Sequence, residues 1–514
     1  MRVARTRCIA LVGVIGRVVE IEADILNGLP ALSLIGLPDT ALSEARERVR
    51  SAIVNSGHPW PDTRITVSLF PASLPKSGST FDLAIAVAIL AASGVVEPDR
   101  VAEPVFIGEL GLDGRLRPVR GVLPAVLAAV EAGAGTVVVP LANAPEAALV
   151  PGLTVIPADN LGELTVWLRG GDLAAYAFTE DMRETLRAAP EPAGARPDLA
   201  DVAGQAMARR ALEVCAAGGH NLWMLGPPGT GKTMLAERLP TLLPRLDYES
   251  ALEVTAIHSV AGTLPPDRPF VTDPPFCNPH HTASVAALVG GGTGATRPGA
   301  VSLAHRGLLF MDEAPEFARN VLDSLRQPLE SGEVVVCRAS GTVTFPARFM
   351  LVLAANPCPC AATSTADAPC SCTPSTRRRY LSRLSGPLLD RIDVKITLRP
   401  STRRELLADR HFLESSEVVA ERVLHARARA RARLRDTPWR TNAEVPAAEL
   451  RRHYAPAAEA LTPLHTALDR GSLTARGLDR IIRVAWTLAD LAGKPRPTAT
   501  ETNTAHALWL GVAS

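Results

Sequence analysis

The sequence predicts an α/β protein of several domains, with strands at its centre and helical patterns between them. Three apolar runs that indicate buried strands occur within one stretch of chain, at 221–225, 307–311 and 349–355. Each run ends in glycine or in polar side chains, and a helical pattern follows the first of them. A chain of 514 residues is too long for one hydrophobic core, so further domains are expected on either side.

The chain divides by composition into four segments. Residues 1–170 alternate short strands with helical patterns and predict an α+β domain. Residues 171–197 predict a linker, because their last ten positions are rich in proline and alanine. Residues 198–400 contain the three buried strands. Residues 401–514 carry helical patterns without β-rich segments and predict a helical lid.

Composition favours a soluble globular protein, since 47% of the residues are hydrophobic and 21% are charged. A net charge of +1 means that any binding to nucleic acid or membrane must be local. No apolar run reaches the length of a bilayer span, so no membrane partner is expected. The basic and apolar start resembles a signal peptide, but Gly13 and Gly16 interrupt it and an alternating pattern follows. We therefore predict a first strand there and a cytoplasmic protein.

The segment 226–233 has the spacing of a phosphate-binding loop. It reads Gly226, Pro227, Pro228, Gly229, Thr230, Gly231, Lys232 and Thr233. Its glycines let backbone N–H groups surround phosphates, and the following helix directs the positive end of its dipole at them. Lys232 is expected to reach the β- and γ-phosphates, and Thr233 to ligate Mg²⁺. The sequence therefore predicts ATP and Mg²⁺ as cofactors.

Polar residues that suit nucleotide hydrolysis follow in a fixed order. Asp312 and Glu313 end the second apolar run; Asp312 is expected in the Mg²⁺ shell, and Glu313 as the base that polarises the attacking water. Asn356 ends the third run and is placed to orient that water or sense the γ-phosphate. Arg391 lies on a predicted turn before a strand at 394–398. One such signal is weak, but their order after a phosphate loop favours an ATPase.

Other motifs resemble the magnesium-chelatase-like AAA+ ATPases of the YifB/ComM family. They lie at 201–205, 211–213, 218–221, 279–282, 297–299, 302–305, 326–330, 356–360, 472–476 and 488–491. The resemblance covers nearly the whole chain and implies a P-loop AAA+ core in a hexameric ring. It also implies that Arg391 is an arginine finger acting across a subunit boundary, and that Arg476 is the sensor-2 arginine. ComM-type members are implicated in branch migration of DNA during recombination, so DNA is the implied partner. Trp486 departs from the family pattern, which usually has arginine there.

The first domain resembles the Lon-protease (S5-like) fold at segments 75–80 and 108–118. Those enzymes pair a nucleophilic serine with a lysine, but the only lysines here are Lys76, Lys232, Lys395 and Lys494. Arginine cannot replace that base, because its guanidinium stays protonated. We therefore predict a non-proteolytic domain that docks a partner or guides DNA, with Lys76 at the surface, in a cap or on a phosphate.

Four of the eight cysteines cluster as Cys358, Cys360, Cys370 and Cys372. In a reduced compartment disulfides are disfavoured, and four thiolates can enclose a structural zinc ion. The alternative is a reduced, flexible loop. The other four cysteines are scattered and are expected mostly in the core, and His280 and His281 are expected as polar loop residues rather than metal ligands.

Two segments are candidates for DNA contact. One is a hairpin with strands at 333–338 and 342–345, and the other is the glycine-rich loop 290–294 with Arg297. Arginines repeated around a ring would follow a phosphate backbone without reading bases. The alternating arginine run at 425–435 instead predicts a solvated lid helix, since arginines two apart point to different helix faces.

The sequence thus favours an ATP-hydrolysing ring motor that acts on DNA, of the helicase or branch-migration type. A chelatase-like or chaperone-like ATPase that remodels a protein partner is the alternative, and an ATP-dependent protease is a third reading. DNA-stimulated ATP hydrolysis separates the first from the other two.

Overall fold

A computed structural model describes residues 3–36, 40–74, 76, 78–173, 176–177, 197–265, 268–292, 296–338, 341–360, 370, 372–409 and 412–511. The predicted proline-rich stretch at 188–197 lies outside these residues, apart from Pro197. The protein is α/β, as the sequence predicts, and has two large sheets.

The first sheet has eight strands in the order β10-β9-β8-β5-β1-β2-β4-β3. These strands are β1 Ala4–Val12, β2 Ile15–Leu26, β3 Ala31–Ile35, β4 Arg64–Phe70, β5 Val105–Phe106, β8 Thr136–Pro140, β9 Thr154–Ala158 and β10 Tyr176–Ala177. A short antiparallel pair, β6 Glu109–Leu110 and β7 Leu116–Arg117, stands beside it. The predicted first strand is confirmed, and β1 and β2 pair through a turn at Gly13, whose φ is +68°. The last strand, β10, lies beyond the predicted boundary at residue 170.

Helices cover the first sheet and include one with no exposed face. They are Thr40–Asn55, Asp82–Ala92, Pro98–Ala102, Val122–Glu131, Ala144–Ala147 and Leu161–Leu168. Every residue of Asp82–Ala92 is buried, which matches its run of alanine, valine, leucine and isoleucine. Asp82 is also buried, and the guanidinium of Arg48 forms two hydrogen bonds to its carboxylate. Burial raises the pKa of Asp82 to about 6, although Arg48 opposes that shift.

The second sheet is wholly parallel, in the order β12-β13-β16-β11-β17. Its strands are β11 Leu222–Leu225, β12 Phe276–Cys277, β13 Leu308–Met311, β16 Met350–Ala355 and β17 Val394–Thr397. The three predicted apolar runs are therefore adjacent strands of one sheet. Around it lie the helices Ala206–Gly218, Lys232–Arg238, Tyr248–Ala261, Val285–Val289, Ala300–Leu303, Arg319–Ser324, Pro328–Ser331, Pro374–Leu381 and Gly386–Leu389. The predicted hairpin forms as β14 Glu333–Arg338 and β15 Gly341–Pro346; turn residues 339–340 lie outside the described chain.

After β17 the described chain is helical, as predicted. Its helices are Arg403–Asp409, Ser416–Leu434, Ala447–Arg452, Ala458–Asp469, Ala475–Leu491 and Ala499–Leu510. They share one hydrophobic core with the second sheet, in which Val423 and Ile481 belong to the same cluster as Leu222 of β11. The helical segment is therefore packed onto the sheet rather than tethered to it.

The prediction of a solvated helix at 425–435 is wrong for its inward-facing arginines. Arg427 donates to the carbonyl of Ala216 at 2.8 Å, and Arg433 forms a bidentate pair with Asp490 at 2.6 and 2.7 Å. Arg433 also lies over the ring of Trp486, 4.2 Å from its centroid, in a cation–π contact. These side chains fasten the helix to its neighbours.

The first domain contacts the second through the helix Tyr248–Ala261. The hydroxyl of Tyr248 donates to the carbonyl of Leu149 at 2.6 Å, and Ser259 donates to the buried carboxylate of Glu146. The turn at Gly13 meets the hairpin, because a Cβ there would lie 2.7 Å from Val343. Glycine is therefore needed at this turn both for its positive φ and for the close approach of β15.

Candidate nucleotide site

The phosphate-binding loop emerges from β11 and enters the helix Lys232–Arg238. Gly229 and Gly231 have φ of +77° and +84°, a left-handed conformation that glycine adopts without steric cost. The hydroxyl of Thr230 donates to the carbonyl of Pro227 at 2.8 Å and closes the turn. The two left-handed glycines and this bond give a tight turn, which is compatible with a loop whose amides surround an anion.

Lys232 is buried at the centre of the site. Its ammonium donates to the carbonyls of Gly226 and Pro227, at 2.7 and 3.0 Å, and to Oδ1 of Asn356 at 3.0 Å. Burial lowers the pKa of Lys232, and the carboxylates of Asp312 and Glu313 oppose that shift. A compact ammonium held by neutral acceptors can transfer its hydrogen bonds to a phosphate that enters the loop.

Thr233 and Asp312 bring two oxygen groups together beside the loop. The threonine hydroxyl donates to Oδ2 of Asp312 at 2.7 Å. Hydroxyl and carboxylate oxygens are suitable Mg²⁺ ligands, and the ion binds through few protein ligands plus phosphate oxygens. The two residues therefore fit the cofactor that the sequence predicts.

Glu313 has an unusual backbone conformation directly after β13. Its φ is +50°, which is uncommon for a residue with a Cβ and is found preferentially at functional sites. Its amide donates to Oδ1 of Asp312 at 2.9 Å. The side chain is 51% exposed, and Nδ1 of His281 lies 3.7 Å from its Oε2. The conformation turns the carboxylate away from the strand and toward solvent, where a water molecule can reach it.

Parallel pairing explains why these side chains meet. Because β16 pairs in parallel with both β11 and β13, the carboxyl ends of the three strands lie side by side at the same end of the sheet. The phosphate loop, Asp312–Glu313 and Asn356 follow those ends. The amide of Gly226 also donates to the carbonyl of Ala355 at 3.1 Å, which fastens the loop to β16.

Arg391 lies at the opposite end of the strands, where their amino ends are, directly before β17. Its carbonyl accepts from the side chain of Asn221 at 3.0 Å, and its guanidinium binds the carbonyl of Pro387 and the carboxylate of Glu330. Burial lowers the pKa of Arg391, and the positive charges of Arg326, Arg476 and Arg480 add to that effect. The structure thus separates Arg391 from the phosphate loop and brings the charge of the other predicted arginine, Arg476, close enough to act on it.

Sequence reasoning missed a buried network at the start of β17. Asp393 is fully buried, accepts from Arg480 at 2.9 Å and from the amide of Asn221 at 3.1 Å, and lies 3.6 Å from His220 Nδ1. Burial opposes its ionisation, but Arg480 and His220 hold the pKa of Asp393 below its usual range. A negative charge is therefore fixed two residues after Arg391.

The four predicted cysteines converge. Their sulfur atoms all lie within 4.8 Å of one another, and those of Cys358, Cys360 and Cys370 are 3.1 to 3.3 Å apart. In the described chain no disulfide joins them. Of the other cysteines, Cys8 and Cys215 are buried as predicted and Cys277 is partly buried, whereas Cys337 is exposed on the hairpin.

The two candidate DNA-contact segments touch each other. Nη2 of Arg338 in the hairpin lies 3.2 Å from the position of a Cβ on Gly291. The backbones of Gly291 and Arg297 exchange two hydrogen bonds of 3.0 Å. Residues 293–295 of the glycine-rich loop lie outside the described chain. The structure therefore brings Arg338 of the hairpin against the loop that carries Arg297.

In the first domain, Lys76 is buried rather than at the surface. Its ammonium donates to the carbonyl of Pro71 and, at 3.2 Å, to that of Leu74. Ser79 donates to the carboxylate of Glu109 instead. Lys76 thus has a capping role in the backbone turn that precedes Ser79.

Comparison with known families divides the chain in the same order. Residues 21–143 match the family described as subunit ChlI of Mg-chelatase, and 198–406 match magnesium chelatase, subunit ChlI. Residues 413–508 match the C-terminal part of that subunit. These matches define a magnesium-chelatase-like protein of the AAA+ class.

Relatives similar over nearly their whole length identify the family more closely. An uncharacterised protein of Mycobacterium tuberculosis is 53% identical over 501 residues, or 98% of this chain and 97% of the relative. YifB of Escherichia coli is 41% identical over 94% of this chain and 92% of its own. Competence protein ComM of Haemophilus influenzae is 42% identical over 94% and 93%. The chain belongs to the YifB/ComM family of magnesium-chelatase-like proteins. Among the described helices, none is long and apolar enough to cross a membrane.

Proposed function

We propose that the protein is an ATP-hydrolysing, hexameric ring motor that acts on DNA in the cytoplasm, as a branch-migration or helicase-type factor in recombination or DNA uptake. The observation that carries this proposal is the separation of two half-sites across one parallel sheet. The carboxyl ends of the strands hold Lys232, Asp312, Glu313 and Asn356, and the amino ends hold Arg391.

The first half-site supports ATP binding and hydrolysis. Lys232 would bind the β- and γ-phosphates, while Thr233 and Asp312 would hold Mg²⁺, which supplies charge neutralisation at those phosphates. Glu313 is exposed and would accept a proton from the attacking water. Asn356, fixed by its bond to Lys232, would direct its amide N–H₂ at the γ-phosphate or at that water.

The second half-site supports a ring. Arg391 lies at the amino ends of the strands, opposite the phosphate loop, and the charge of Arg476 acts on it, so we assign Arg391 to the nucleotide of a neighbouring subunit rather than to its own. In a head-to-tail ring the same end of the sheet would face the neighbour's nucleotide, where an arginine stabilises the charge of phosphoryl transfer. For this, the Arg391 guanidinium would have to leave Glu330.

The contact between the hairpin of Arg338 and the loop of Arg297 supports a role of both segments in binding DNA. Repeated around a ring, these arginines would form a basic channel for a phosphate backbone. The name of the Haemophilus influenzae relative links that protein to competence, which agrees with a DNA-handling role here. The first domain would serve as a non-proteolytic docking or DNA-guiding module, because Lys76 is committed to backbone carbonyls rather than to Ser79.

The alternative is an ATPase that remodels a protein partner, favoured by the matches to a chelatase subunit. The deciding experiment measures ATP hydrolysis by the full-length protein without DNA, with single-stranded DNA and with forked DNA. Stimulation by DNA supports the motor. Hydrolysis that ignores both DNAs would support protein remodelling, and no hydrolysis in the presence of Mg²⁺ would refute the proposed activity.

The cysteine cluster supports a bound zinc ion. Four thiolates at about 2.3 Å from a tetrahedral zinc are about 3.8 Å apart, a value between the 3.1 to 3.3 Å that separates three of the sulfurs and the 4.8 Å that encloses all four. Zinc would complete its coordination with protein ligands alone, so the proposed role is structural rather than catalytic.

A further inference from the structure

The cysteine cluster joins two segments that flank the candidate catalytic residues. Cys358 lies two residues after Asn356, whose side chain accepts from Lys232. Cys372 directly precedes Thr373, which caps the helix Pro374–Leu381 by accepting from the amide of Thr376. The residues between Cys360 and Cys370 lie outside the described chain, so the cluster is defined by its described cysteines.

The helix that starts at the cluster reaches the segment after Glu313. Tyr380 near its end is buried, and burial, together with the negative charges of Glu316 and Glu313, raises the pKa of Tyr380 to about 12. Arg383, two residues past the helix, donates to the carbonyl of Pro315 at 2.9 Å and to Glu316 at 3.1 Å. A continuous set of contacts therefore runs from the cysteines to the residues that follow Glu313.

We propose that the metal in this cluster is a clamp that positions Asn356 and Glu313 relative to each other, and that ATP hydrolysis depends on it more than ATP binding does. This inference rests on the proposed ATPase function and adds a residue set that acts without touching the nucleotide. The cysteines, Tyr380 and Arg383 are positioning residues.

Physical chemistry gives the reason for the clamp. Without a metal, thiols hold one another only through weak hydrogen bonds, which are easily exchanged. A zinc ion with four thiolates fixes their geometry and carries a net negative charge, since four thiolates exceed its two positive charges. The positive charge of Arg377 lies close enough to Cys370 to interact with it, which suits that charge. By contrast, Lys232 and the phosphate loop have their own backbone bonds, so ATP binding does not require the clamp.

The first test combines metal analysis with kinetics on the full-length protein. The double variant Cys360→Ser, Cys370→Ser removes two ligands, and Cys337→Ser is the matched control for metal content; all kinetics are measured without DNA, because Cys337 lies in the proposed DNA-contact hairpin. Wild type and control are expected to contain about one zinc per chain, and the double variant almost none. Its kcat is expected to fall about 10- to 100-fold, the range typical of lost metal-site support, with the Kd for ATP within about threefold of wild type.

A second variant separates loss of the clamp from loss of folding. Arg383→Ala breaks the clamp at its far end and leaves every cysteine in place, so zinc content should remain full while kcat falls and the Kd for ATP stays unchanged. If the purified wild-type protein contains no zinc and hydrolyses ATP normally, the proposed metal site is refuted, while the proposed ATPase activity is not. A metal-free double variant, or a zinc-loaded Arg383→Ala variant, with wild-type kcat would refute the clamp. Parallel loss of ATP binding and kcat would also refute it, because the metal would then support the whole fold.

Discussion

Substitution of Asn356 tests whether the end of β16 participates in hydrolysis. In Asn356→Ala the Lys232 ammonium loses one acceptor but keeps the carbonyls of Gly226 and Pro227 at 2.7 and 3.0 Å. The lysine therefore stays in place, and we expect ATP to bind with little change in affinity. The variant does lose the amide N–H₂ group that would donate to the γ-phosphate or to the attacking water.

The expected magnitude follows from that lost hydrogen bond. A hydrogen bond to a charged group is worth about 1.5–3 kcal/mol, and about 1.4 kcal/mol corresponds to a tenfold change in rate. The kcat of Asn356→Ala should therefore fall about 10- to 150-fold. Asn356→Asp has nearly the same shape but places a carboxylate about 3 Å from Lys232, where an ion pair would compete with phosphate. This second variant should lose both kcat and affinity for ATP.

The assay is steady-state ATP hydrolysis together with equilibrium binding of ATP, in both variants and wild type. Thermal unfolding of each variant, measured in parallel, shows whether the fold is retained. A kcat for Asn356→Ala within about threefold of wild type would refute a role for this amide, because about 0.7 kcal/mol is less than such a hydrogen bond contributes. Equal loss of affinity in both variants would instead show that Asn356 acts through Lys232.

The remaining predictions concern single steps of the proposed cycle. Lys232→Ala should abolish ATP binding, whereas Glu313→Gln should bind ATP without turning it over; normal hydrolysis in Glu313→Gln would exclude that base. Arg391→Ala should bind ATP and lose hydrolysis, and mixing it with Lys232→Ala should restore some activity. If activity is not restored although the subunits demonstrably exchange, Arg391 acts on the nucleotide of its own subunit. Arg338→Ala should reduce stimulation by DNA and its salt dependence while basal hydrolysis is retained, and Arg435→Ala, on the exposed end of a lid helix, is the control. If Arg338→Ala and Arg435→Ala change DNA stimulation equally, the hairpin does not contact DNA.

Local patterns in the sequence were sufficient to locate the strands and the phosphate loop. An apolar run followed by glycines and a helical pattern specifies its own local conformation, so the loop around Lys232 was predictable. The partner of Lys232 was not, because Asn356 is 124 residues away and only strand order brings it close. The pairing of Arg391 with Glu330 and the position of His281 beside Glu313 likewise depend on tertiary packing.

The arginine run at 425–435 shows the opposite limit. Alternation distributes its side chains around a helix, and the sequence does not reveal which side faces the protein. The structure shows that Arg433 satisfies the buried carboxylate of Asp490, a partner 57 residues away. A run of charged residues in the sequence therefore does not by itself show that their side chains face solvent.

The arrangement of the two half-sites gives the proposed ring a physical basis for control. Arg391 is 7% exposed and bound to Glu330, so in a single chain it is shielded from any nucleotide. Buried guanidinium groups lose their partners only when another anion replaces them, because an unpaired buried charge is costly. The triphosphate of a neighbouring subunit would be such an anion, and it can approach only after the subunits have docked. On this basis free subunits would hydrolyse ATP slowly because no neighbouring arginine reaches their nucleotide, and hydrolysis in the ring would begin when the ATP of one subunit displaces Glu330 from Arg391 of the next.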